Sequence, residues 1–170
     1  MSQTPDKINP IDRIKLSNPW HLLAVGFGSG LSKIVPGTMG TLASIPFYLL
    51  LVQLPPIAYG IVVVISALIG ITICQKTSDD MQVHDHGAIV WDEFVGFWIT
   101  MSVVPLLGLP HYDWQTLLIG FVLFRIFDMV KPWPISLLDR HVHGGFGIMI
   151  DDVLAGVFAA ISLWLVVLYL

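Results

Sequence analysis

The sequence predicts an all-α polytopic membrane bundle of four to five transmembrane or re-entrant helices. Three observations carry this reading. The 170 residues are 55% hydrophobic and only 12% charged, whereas a soluble domain carries about 25% charged residues; the mean hydropathy is +0.80. Long apolar runs recur between short polar stretches. When those runs are threaded alternately through a bilayer with the N-terminus inside, all eight Lys and Arg fall on the cytoplasmic side, as the positive-inside rule requires.

Taken in order, residues 1–17 form a polar N-terminal arm without the apolar core of a secretory signal. Residues 18–170 form a single membrane-embedded domain. His21 to Leu31 is apolar and glycine-rich but too short to span, which suits a re-entrant or interfacial piece. Pro36-Gly37-Thr38-Met39-Gly40-Thr41 is a turn opening a helix, with Thr38 or Thr41 as its cap. Glycines beside a helix N-terminus also suit a phosphate, because free backbone N–H groups can point at it. Thr41–Leu54 is the first apolar segment, short for a bilayer, with Pro46 in its first turns and Leu54-Pro55-Pro56 as its stop. Ile57–Cys74 is the second and is long enough to cross.

Gln75–Gly87 reads as a polar loop. The loop runs into Ile89-Val90-Trp91-Asp92-Glu93-Phe94-Val95-Gly96, and the third segment continues to Leu107, with Asp92 and Glu93 at its entrance; Trp114–Val130 is the fourth. Lys131-Pro132-Trp133-Pro134 stops it, and a second polar loop holds Asp139, Arg140, His141 and His143. A glycine-rich turn, Gly144-Gly145-Phe146-Gly147, then leads to Asp151 and Asp152, where the fifth segment, Val153–Leu170, begins. Gly156 lies one turn past Asp152 on the same face, where another backbone can come close. Cys74 is the single cysteine, so there is no internal disulfide and no cysteine metal cluster. No nucleic-acid partner is expected.

The threading gathers the charged residues of the helix ends on one membrane face. Asp92, Glu93, Asp128, Asp151 and Asp152 are the candidate catalytic acids. Acids at a membrane edge are costly to place and are functional candidates by default. Carboxylates converging from three helices repel one another unless a cation neutralises them. Hard oxygen ligands suit Mg²⁺, with Glu93, Asp128, Asp151 and Asp152 as its candidate ligands. Arg125 and Lys131, with Thr38 and Thr41, are candidates to hold a phosphate. Together these are the parts of metal-assisted phosphoryl chemistry. Helix capping and structural ion pairs are the plainer reading of each residue taken singly. His84 and His86 are candidates for acid–base work or metal binding; a solvated loop explains them equally well.

A wider set of motifs carries a resemblance. Ser17-Asn18-Pro19-Trp20-His21 leads into Gly26-Phe27-Gly28-Ser29-Gly30, followed by Pro36-Gly37-Thr38 and His84-Asp85-His86-Gly87. Then come Trp91-Asp92-Glu93, Phe124-Arg125-Ile126-Phe127-Asp128 with Lys131-Pro132-Trp133-Pro134, and Gly147-Ile148-Met149-Ile150-Asp151-Asp152 with Ala155-Gly156. In this order, from about Ser17 to Gly156, the set resembles the bacterial phosphatidylglycerophosphatase A family. Lys33 departs from the pattern, at a position where a proline is expected. The resemblance implies a Mg²⁺-dependent, multi-pass lipid phosphatase of the bacterial inner (cytoplasmic) membrane. Its reaction would convert phosphatidylglycerophosphate to phosphatidylglycerol and phosphate, a step of glycerophospholipid biosynthesis, with the site on the cytoplasmic face.

Other phosphatase chemistries fit poorly. Cys74 is not followed by the arginine of a cysteine-phosphatase loop, and no Asp-x-Asp-x-Thr run supplies an aspartyl nucleophile. The alternative from another class is a small non-enzymatic transporter or ion-pathway subunit, whose acids would lie near the bilayer midplane at broken helices.

Overall fold

The computed structural model describes residues 9–169, and every regular element among them is helical. The expected polar arm is therefore described only from Asn9, whose side chain caps a 3₁₀ turn over Pro10–Arg13. Helix α1 spans Pro19–Ala24, with Asn18 accepting a hydrogen bond from the Trp20 N–H as its N-cap. A kinked 3₁₀ stretch, Gly26–Leu31, follows. The remaining helices are α2 (Pro36–Leu51), α3 (Pro56–Met81), α4 (Trp91–Met101), α5 (Val103–Leu107), α6 (Trp114–Val130), α7 (Ile135–His141) and α8 (Gly144–Tyr169).

Helix α4 is the centre of the bundle. Ten of its eleven residues are buried, as expected of a helix with apolar residues on all sides. It packs against α2, α3, α6 and α8, and α8 also packs against α3, α6 and α7. The outer faces of the surrounding helices carry Leu50, Ile61, Leu68, Ile126 and Leu165, all exposed. Helices α3 and α8 are each long and apolar enough to cross a membrane.

Several boundaries differ from the sequence reading, each for a physical reason. The third segment is not one continuous helix: α4 ends at Met101, Ser102 intervenes, and α5 is separate. At 11 residues α4 is about 16 Å long, too short on its own to cross a bilayer of about 30 Å, so a crossing here takes α4 and α5 together. Helix α3 runs on to Met81 through Lys76, Asp79 and Asp80, so the polar loop begins only at Gln82. Asp139, Arg140 and His141 lie on α7 and not in a loop.

Helix α2 starts at Pro36 on a left-handed Val35, so neither Thr38 nor Thr41 caps it, and Pro46 falls in its third turn and not its first. Helix α8 starts at Gly144, which places Asp151 and Asp152 two turns inside it and not at its entrance. The glycines that suggest a turn are part of that helix. A side chain on Gly145 would collide with the Ile71 carbonyl and the Gln75 backbone of α3, so glycine is needed there for close packing. Gln75 Oε1 accepts from the Gly145 N–H at 2.7 Å, satisfying one of the free donors of the first turn.

Candidate functional site

The site begins with two helix backbones in close approach. A Cβ on Gly156 of α8 would collide with the Gly96 carbonyl of α4. One on Gly96 would lie 2.8 Å from the Asp152 carbonyl. Thr100 on α4 donates its hydroxyl to the Gly96 carbonyl at 3.0 Å and lies 3.4 Å from that of Gly156. One turn from this contact, towards the same end of the bundle, stand Glu93 on α4 and Asp152 on α8. Residues three or four apart share a helix face, so the glycine contact sets the spacing of the acids.

Asp92, Glu93 and Asp152 each offer an oxygen within 4.8 Å of the others, and all three are buried. Asp92 and Glu93 occupy the first turn of α4, as expected, and Asp92 Oδ1 accepts from the Glu93 N–H at 3.1 Å. Asp128 of α6 neighbours Asp152 and accepts from Arg125 at 2.6 Å. The Arg125 guanidinium also lies 3.9 Å from Glu93 Oε1 and donates to Thr41 Oγ1 at 3.3 Å. Thr41 in turn donates its hydroxyl to the Gly37 carbonyl at 3.0 Å. Gly37 makes room for this meeting, because a Cβ there would collide with Glu93 Oε1 and lie 3.2 Å from Arg125.

The two adjacent aspartates of α8 face different partners. Asp151 accepts from the Lys131 ammonium at 2.5 Å, and Lys131 also donates to Asp139 at 2.6 Å. Lys131 ends α6 in the left-handed conformation, φ 44°, with its N–H on the Phe127 carbonyl, so α6 does not persist to it. Burial works against the Lys131 charge, but the carboxylates of Asp139 and Asp151 outweigh it and hold the ammonium above the ordinary lysine range.

Three buried atoms here have no hydrogen-bond partner among the described residues: Glu93 Oε2, Asp151 Oδ1 and Arg125 Nε. A buried, unpaired carboxylate oxygen or guanidinium N–H is costly. Five carboxylates (Asp92, Glu93, Asp128, Asp151, Asp152) face two cations (Arg125, Lys131), leaving an excess of negative charge. Clustered hard oxygens, two of them unpaired, fit a small divalent cation, and the unpaired Nε of Arg125 fits an anion beside it.

The remaining candidates make no hydrogen bond to this cluster among the described residues. Thr38, half-buried, makes no side-chain hydrogen bond among the described residues. His84 Nε2 accepts from the Gly144 N–H at 2.8 Å, and its ring meets that of His143 edge-on. His86 Nδ1 accepts from the Ala88 N–H at 3.1 Å. His86 thus holds the loop before α4, and His84 ties that loop to the start of α8. His21 is buried, and its Nε2 lies 2.8 Å from Asp80 of α3. Sequence reasoning missed Gly37 and Asp139. The Pro36-Gly37-Thr38 turn pointed near the first, and nothing in the sequence pointed to the second.

The phosphatidylglycerophosphatase A family model matches residues 22–167. A phosphatidylglycerophosphatase A of Escherichia coli is 62% identical over 87% of this chain and 83% of its own. One of Haemophilus influenzae is 50% identical over 90% of this chain and 91% of its own. A Bacteroides thetaiotaomicron protein, 40% identical over 85% of this chain and 94% of its own, is named as a candidate phosphatidylinositol-3-phosphatase. No solved structure matches the chain. By the family match across most of its length and by these identities, the chain belongs to the phosphatidylglycerophosphatase A family and is a phosphatase.

Proposed function

We propose that the protein is a multi-pass enzyme of the bacterial inner membrane that hydrolyses phosphatidylglycerophosphate to phosphatidylglycerol and phosphate, with Mg²⁺ as cofactor. The observation that carries the reading is the buried meeting of Asp92, Glu93 and Asp152 beside Arg125. The substrate comes from the relatives' names, two of which are phosphatidylglycerophosphatase A. Membrane embedding is supported by the apolar outer faces of the bundle and by the length and hydropathy of α3 and α8. A cytoplasmic site is supported by the basic residues Arg125 and Lys131, which meet the acids.

Glu93, Asp92 and Asp152 would hold Mg²⁺, with Asp128 alongside. When bound, the ion would polarise a phosphoryl oxygen and lower the pKa of a bound water. The protein's own residues do the rest. Arg125, fixed by Asp128 and Thr41, presents its unpaired Nε to the phosphate. Lys131 supplies a second positive charge. Helices α4 and α8 keep the acids buried, where they act in a low dielectric. The net reaction adds water to phosphorus and breaks the bond to the glycerol oxygen, which leaves as a hydroxyl.

The position of Asp151 and Asp152 two turns inside α8 also suits an ion pathway, but a pathway gives no role to the unpaired Arg125 Nε. The deciding experiment is phosphate release by the purified protein from phosphatidylglycerophosphate in mixed micelles, with Mg²⁺ and with chelator. The reading expects turnover only with Mg²⁺, and slower turnover of phosphatidylinositol 3-phosphate. No release from phosphatidylglycerophosphate at any Mg²⁺ concentration would refute it.

A further inference from the structure

Asp139 lies on α7, outside the acid cluster. Its carboxylate holds the same ammonium as Asp151, at 2.6 Å against 2.5 Å. The side chain of Asp139 is 38% exposed, and an exposed ion pair usually contributes little to stability. Here, however, both partners are carried on fixed backbone. Ile135, at the start of α7, is fully buried, and α7 packs along α8. Lys131 is set by its left-handed C-cap on α6. The pair therefore ties together the two ends of the chain that flank Pro132–Pro134.

A lysine ammonium has three N–H donors on a flexible four-carbon stem. With one carboxylate partner it would rotate freely about that contact. With two, on different helices, it is fixed in place and has one N–H to spare. The two carboxylates also keep it charged despite its burial.

We propose that Asp139 is a positioning residue: by sharing the Lys131 ammonium with Asp151, it fixes that ammonium so that its third N–H takes an oxygen of the substrate phosphate. This deepens the phosphatase reading and rests on it. Asp139 touches neither the substrate nor the reacting atoms in this scheme. Its loss should weaken phosphate binding in ground and transition states alike, which raises KM and spares kcat.

The test compares the full-length wild type with Asp139→Asn, Asp139→Glu and, as a control on the same helix, Arg140→Gln. Each is assayed on phosphatidylglycerophosphate in mixed micelles with Mg²⁺. Asp139→Asn should raise KM about ten-fold, the scale of a lost hydrogen bond to a charged group, with kcat within about two-fold. Asp139→Glu, which keeps the charge, should return KM most of the way, and Arg140→Gln should match the wild type. An unchanged KM in Asp139→Asn beside an active wild type would overturn this proposal alone. So would equal losses in Asp139→Asn and Asp139→Glu, because that marks a structural role for α7. A wild type that releases no phosphate would overturn the phosphatase reading and this proposal with it.

Discussion

Gly156 of α8 rests against the Gly96 carbonyl of α4 with no room for a side chain between them. In a bilayer, lipid tails are as apolar as leucine, so helices associate through small residues and close packing. That contact sets the distance between α4 and α8 at the level of Glu93 and Asp152. Gly156→Ala should force the helices apart, at a cost of about 1–3 kcal/mol typical of overpacking. The expected outcome is a lower midpoint of thermal unfolding in detergent together with weaker divalent-cation binding. Unchanged unfolding and unchanged binding would show that the contact does not set the site.

Arg125 should not tolerate replacement by lysine. Its guanidinium meets Asp128, Glu93 and Thr41 together and keeps Nε unpaired. Lysine preserves the charge and loses the planar fork. Arg125→Lys should lower phosphate release by about 10²-fold, the scale of losing a preorganised donor to the transition state, and added Mg²⁺ should not rescue it. The measurement is kcat/KM across a Mg²⁺ series. Near-normal turnover at any Mg²⁺ concentration would remove Arg125 from the phosphate site.

Lys131 gives a prediction about pH. Its pKa is raised in the folded protein, against burial, by Asp139 and Asp151. A raised pKa means that the ion pair is fully formed below the ordinary lysine range and is lost only as pH rises above it. Activity lost on the alkaline side of neutrality should therefore not come from Lys131. In pH profiles of kcat/KM, wild type and Lys131→Arg should share the same alkaline limb below about pH 10. An alkaline limb that moves upward in Lys131→Arg would contradict this.

Much of the bundle is legible in the sequence. Trp114–Val130 has the same bounds in the sequence reading and in α6, because Asp113 caps its start and Lys131-Pro132 ends it cleanly. The third segment was harder. Its apolar run continues through Ser102, but α4 ends at Met101 and α5 begins at Val103, a break that the run itself does not mark. The start of α8 was misplaced because Gly144, Gly145 and Gly147 disfavour helix by propensity, and packing of Gly145 against α3 overrides that. Asp92, Glu93 and Asp152 are legible as a group, since the threading puts the starts of their apolar segments on one membrane face. Their division into partners was not: Asp151 and Asp152 are adjacent in sequence, and only the fold sends one to Lys131 and the other to Glu93. Gly37 and Asp139 act through contacts across 56 and eight positions of chain, to Glu93 and Lys131 respectively, and no local pattern marks such contacts.

Topology can be tested independently of chemistry. With the N-terminus inside, the α5–α6 connection should face the periplasm, since it carries no basic residue. On a Cys74→Ala background, His111→Cys should react with a membrane-impermeant thiol reagent added to intact cells. Reaction only from the cytoplasmic side would reverse the orientation proposed here.

The central claim is that Asp92, Glu93 and Asp152 form one divalent-cation site. Two turns inside α8, Asp152 cannot be an N-cap, so Asp152→Asn does not simply exchange one cap for another. The most direct measurement is Mn²⁺ binding, with Mn²⁺ standing in for Mg²⁺ as a hard cation. It is followed by electron paramagnetic resonance on detergent-purified wild type, Asp152→Asn and Asp151→Asn. The account predicts a saturable site in the wild type, affinity about 10–100-fold weaker in Asp152→Asn, and a smaller loss in Asp151→Asn, whose carboxylate is held by Lys131. Equal binding by the wild type and Asp152→Asn would contradict it.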